Sequence, residues 1–102
     1  MPDIKQARAV LEARIVEGAG QAPPAQRRAA FNNAGVSEPL AAVIDKVARH
    51  AYRVTDGDIA AARASGLSED QIFEMVICAA VGQATRQYDT AMAALEAAAG
   101  ER

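Results

Sequence analysis

The segment TDGDIAAARASGLSEDQIF, residues 55–73, holds two helix starts and one helix stop. Thr55 is followed three residues later by Asp58, and Ser68 three residues later by Gln71. In each pair the first side chain accepts from a backbone N–H of the new helix while the second reaches back to the cap. Gly66 supplies the left-handed turn that closes the short helix between them. Beyond Ser68 the chain continues with apolar residues at Ile72, Phe73, Met75, Val76, Ile77, Cys78, Ala79, Ala80, Val81 and Ala84. Almost no polar face is left for three turns, which predicts a central helix covered by protein on most sides.

Upstream, the pattern remains helical. Ile4, Leu11 and Ile15 form one stripe with Val10 beside it, and Lys5, Arg8 and Glu12 fall outside it. This predicts a peripheral amphipathic helix over about 3–17. Gly18 to Pro24 then breaks the chain, because two glycines loosen it and the proline pair enforces extended backbone. Pro24 suits the first position of a short helix anchored by Phe31 and ended near Asn32, Asn33 and Gly35. Ser37 is the expected cap of the next helix, whose apolar positions Leu40, Val43, Ile44, Val47, Ala51 and Val54 step by three and four. From Tyr88 the final helix narrows to Tyr88, Met92 and Leu95, and the tail 97–102 is expected to fray. Gly82 inside a helix costs up to about 1 kcal/mol relative to alanine, so a close crossing or a subunit contact is its natural compensation. No strand signal or repeat appears. The expected class is all-α, in one domain comprising a peripheral helix at 1–17, a linker at 18–24 and a helical body at 25–102.

Composition constrains function. Of 102 residues, 51% are hydrophobic yet only 4% are aromatic, with no Trp, so alanine carries much of the apolar share. Alanine favours helix but buries little area, and a chain of this length buries only about 60–65% of its unfolded surface. Association between copies is the expected remedy. The net charge of −2 and the absence of a basic cluster argue against a nucleic-acid surface. Residues 1–55 hold eight Lys or Arg against five acids, +3, while residues 56–102 hold three against eight, −5. That asymmetry suits head-to-tail alignment and equally suits ordinary solvated faces. A single cysteine excludes an internal disulfide, and Met1 to Lys5 lacks the apolar run of a signal peptide, so a reducing, cytoplasmic setting is expected. Glu74, Gln83 and Arg86 interrupt the long helix before it reaches membrane-spanning length.

The chemistry-bearing residues are few. His50, the lone histidine, stands near Tyr52 and Asp58 in sequence and is a candidate base, although an isolated histidine is more often a packed or surface residue. His50, Asp45 and Asp58 lack ligand spacing, and neither a metal nor a cofactor is expected. Cys78, among apolar neighbours and far from a helix N-terminus, reads as a small hydrophobe. Glu74 on the same face needs a partner if buried, with Arg63 and Arg86 the candidates. Tyr52 and Tyr88 are able to bind a small ligand but equally serve as core-edge residues. Arg27 with Arg28 and Arg49 with Arg53 read as charged helix faces, more often solvated than anion-binding.

Residues 38–96, above all Gly66-Leu67-Ser68-Glu69 with Ile72 and Glu74 following, resemble the alkylhydroperoxidase D-like (AhpD-like) and carboxymuconolactone decarboxylase superfamily. The resemblance implies an AhpD-like helical bundle with a central long C-terminal helix. It also implies assembly as a homo-oligomer, a trimer or hexamer, with sites near subunit contacts. Peroxidase members carry Cys-x-x-Cys and a histidine on the preceding helix, where the helix N-terminus lowers the thiol pKa. Those positions correspond here to Ala51, Val54 and Asp58, so the dithiol is absent, and the histidine of the decarboxylase branch is missing too. The resulting expectation is a non-redox binding or structural subunit. The alternatives are a cysteine-independent enzyme acting on a small carbonyl or lactone-like substrate through His50, Tyr52 or Asp58, and a one-cysteine peroxidase at Cys78.

Overall fold

Every break in the chain has a local cause. The computed structural model describes residues 3–100. Five α-helices run in order: α1 Ile4–Glu17, α2 Pro24–Asn32, α3 Leu40–His50, α4 Asp56–Ala64 and α5 Glu69–Gly100, with a 3₁₀ turn at Ala51–Arg53 between α3 and α4. Among the described residues there is no strand, so the all-α class and the long C-terminal helix stand as expected. Both capping boxes form. Thr55 Oγ1 accepts from Asp58 N–H while Asp58 accepts from Thr55 N–H, and Ser68 and Gln71 repeat the exchange. Gly66 has φ 107° and Asn33 φ 51°, the left-handed residues that end α4 and α2.

Two boundaries differ from expectation. Ser37 gives α3 no side-chain cap; the helix begins at Leu40, after Pro39, because proline biases Glu38 away from helical backbone. At its other end α3 stops at His50 instead of running on to Val54. Tyr52, Val54 and Thr55 are weak helix formers, and the Thr55 cap already commits the chain to a new start. The tail also differs, since Ala97–Gly100 remain helical in α5; Glu101 and Arg102 lie outside the described residues.

α2 and α3 pack most extensively on α5, α4 bridges α3 and α5, and α1 lies against α2 and α5. The core joins Val16, Ala30, Phe31, Leu40, Val43, Ile44, Ala62, Ile72, Met75, Cys78 and Ala79. Gly82 sits where α2 crosses α5, so close that a Cβ would collide with the Phe31 carbonyl. Arg86, one turn later, donates to that same carbonyl at 2.6 Å and so caps the end of α2.

α5 is not enclosed as its apolar run suggested. Its inner face, Ile72, Met75, Cys78, Ala79 and Gly82, is buried, but Phe73 is 65% exposed and Ala80 and Ala84 face solvent. Four short helices can cover only one side of it. At 1.5 Å per residue, the 32 residues of α5 reach about 48 Å. The radius of gyration is 15.6 Å, against about 13 Å for a compact domain of this size. The excess is the C-terminal arm: from Gln87 to Gly100 every residue is exposed except the half-buried Met92.

Candidate functional site

α1 is rotated from its expected orientation. Val16 is buried, Ile15 packs on the core and Lys5 stays exposed, but Arg8 and Glu12, expected outside, turn toward the bundle. Arg8 forms a two-pronged pair with Asp89 of α5, at 2.7 and 3.1 Å, and its guanidinium lies 5.2 Å from the centre of the Tyr88 ring. Glu12 accepts from Arg28 of α2 at 2.7 Å. Ile4, Val10 and Leu11 are left facing solvent, with Ile4 58% exposed. The physical reason is that α1 lies over helices offering it Arg28 and Asp89, and pairing with those charges sets its rotation.

Between the first turn of α1 and the arm of α5 runs a groove enclosing about 510 Å³. Ile4, Tyr88 and Met92 give it an apolar floor, while Lys5 and Glu96 add opposite charges at its sides. Leu95, 62% exposed, continues the apolar stripe beyond α1.

A second locus is the inner end of α5, where Cys78 is buried and its Sγ is 3.4 Å from the Ile15 carbonyl. Burial pushes this thiol up from its ordinary pKa; Glu74 adds to the rise and Arg27 opposes it. Such a thiol stays protonated and is a poor nucleophile. Arg27 is 4% exposed, a correction to the solvated face expected for it. Its Nε donates to the Ala22 carbonyl at 2.9 Å and its Nη1 to the Ile15 carbonyl at 3.2 Å. Glu74 pairs with neither Arg63 nor Arg86. Its carboxylate accepts the backbone N–H groups of Gln21 and Ala22 at 2.7 to 2.9 Å, clasping the 18–23 linker onto α5. Arg63 instead meets Glu69. No local signal reveals these partners, because they are 52 and 53 residues apart in sequence.

His50 and Tyr52 are exposed, Tyr52 at 80%, with their rings edge-on at 5.9 Å. Asp58 is committed elsewhere, accepting from Lys46 at 2.7 Å and from Thr55 N–H at 3.0 Å. The Lys46 hydrogen bond, followed by that of Thr55, holds this carboxyl below the usual range. Among the described residues no hydrogen bond joins His50 to Tyr52 or Asp58. No group of three or more His, Cys, Asp or Glu side chains among the described residues is placed to hold a metal ion. No helix among them is long and apolar enough to cross a membrane. Compared with protein-family models, with curated proteins and with solved structures, the chain matches none.

Proposed function

We propose that this chain is a non-redox subunit of a cytoplasmic homo-oligomer, a trimer or hexamer built on an AhpD-like plan, which serves binding or scaffolding instead of dithiol chemistry. The observation that carries the reading is the open apolar stripe Ile4, Tyr88, Met92 and Leu95 on the α1–α5 groove and the arm beyond it. Its occupant is a second copy of the chain. Lys5 and Glu96 line the same groove with opposite charges, so a contact between copies can set Glu96 of one against Lys5 of another. The single buried thiol supports the non-redox half of the proposal.

Magnitudes place the assembly in a concentration-dependent regime. Burying a Leu, Ile or Met fully is worth roughly 1.5–3 kcal/mol, and these side chains are already partly covered, so each adds about 1 kcal/mol. Both copies contribute, but association itself costs about 4–15 kcal/mol in lost freedom. The additional exposed Val10, Leu11 and Phe73 leave surface for further contacts of the same kind.

Light scattering over a dilution series tests this on the wild type and on Met92→Glu/Leu95→Glu. The expected result is a wild-type oligomer that dissociates on dilution and a variant that is monomeric with unchanged helicity. A wild type that is monomeric at high micromolar concentration overturns the assembly reading.

A further inference from the structure

Where α2 ends, Asn32 and Asn33 share a pocket of about 300 Å³ with Arg49 of α3 and with Gln83 and Arg86 of α5. All five lining side chains carry N–H donors, and no carboxylate is among them. Three of the nearby acceptors are already engaged. Gln83 Oε1 takes Arg86 Nη2 at 3.0 Å, and the Phe31 carbonyl takes Arg86 Nη1. Asp45 Oδ1, beside the pocket, takes Asn33 Nδ2 at 3.0 Å and Arg49 Nε at 2.8 Å. What remains is a surplus of donors: the rest of both guanidinium groups and the amide of Gln83.

Both arginines are also held in place, Arg86 by Phe31 and Gln83, and Arg49 by Asp45. A guanidinium fork matched to two oxygens binds carboxylates and phosphates well, and one ordered in advance loses less freedom on binding. Arg49, Arg86 and Asp45 together leave one net positive charge.

The geometry points to an oxyanion-binding site at this pocket, taking a phosphate group or a carboxylate between Arg49 and Arg86. It uses the face of α5 turned toward α2 and α3 and does not rest on self-association at the α1–α5 groove.

The test is a titration of ¹⁵N-labelled protein with sodium phosphate, sodium acetate and sodium chloride at matched ionic strength, followed by NMR. Saturable shifts at the Arg49 and Arg86 Nε–H and at the Asn32 and Asn33 amides, absent with chloride, are expected. Saturation by phosphate alone identifies a phosphate group as the ligand chemistry, and saturation by acetate a carboxylate. Arg86→Gln also removes the α2 cap, so the decisive variant is the exposed Arg49→Gln, which should weaken binding about tenfold or more through loss of a charge-assisted pair. Equal shifts with chloride, or an Arg49→Gln protein that binds as tightly as wild type, overturns the site.

Discussion

Gly82 lies against the carbonyl of Phe31, and the crossing of α2 over α5 depends on the space a side chain would occupy there. Gly82→Ala should gain up to about 1 kcal/mol of helix propensity. It should lose more from overpacking, typically about 1–3 kcal/mol, because its neighbour is backbone and cannot rotate aside. Urea denaturation should therefore show net destabilisation. The same substitution at Gly20 meets the Glu74 carboxylate, which can move aside only by loosening its hold on Gln21 and Ala22, so it too should destabilise.

Cys78 should be unreactive in the folded protein. An aromatic disulfide reagent at pH 8 should label it at least about 100-fold more slowly than in urea, corresponding to an opening free energy of ~3 kcal/mol. Its raised pKa gives stability a definite sign with pH: above the ordinary thiol range the unfolded chain releases the proton first, so stability falls as pH rises toward the folded value. Cys78→Ala should flatten that alkaline decline.

Asp58 works in the opposite direction. Its carboxyl is lowered by Lys46 and Thr55, so its contribution is present above the ordinary carboxylate range and is lost as pH falls through the folded value. Asp58→Asn keeps an oxygen for the Thr55 cap but removes the charge. Its Tm deficit against wild type should be largest near neutral pH and should close as pH falls below the ordinary carboxylate range.

Glu74→Ala removes the acceptor for two backbone N–H groups, one of them on the buried Ala22. The loss should be about 1–3 kcal/mol, felt first in the linker. Hydrogen exchange at Gln21 and Ala22 should accelerate by at least about tenfold, while the amides of α3 change little.

How much was legible follows from the range of each interaction. The Thr55–Asp58 and Ser68–Gln71 boxes and the left-handed Asn33 and Gly66 involve partners within a few residues, and all were readable from the chain. Phe31 as an anchor and Gly82 as a close-approach site were readable too, because residue size alone implies them. The three residues expected from sequence to carry chemistry were joined by proximity along the chain, which says little about proximity in space. His50 and Tyr52 stand in solvent, and Asp58 serves a cap and an ion pair.

By itself, the sequence determined an all-α chain with its breaks close to where they fall, because capping, glycine and proline act over three or four residues of backbone. Tertiary structure alone decided that α1 turns Arg8 and Glu12 inward and Ile4 and Leu11 outward, and that Arg27 is buried. It also decided that Glu74 holds a linker and that Arg49 and Arg86 share a pocket. Each of these depends on partners brought together across a dozen to some eighty residues of chain, where hydrogen-bond geometry and charge pairing outweigh the local amphipathic pattern.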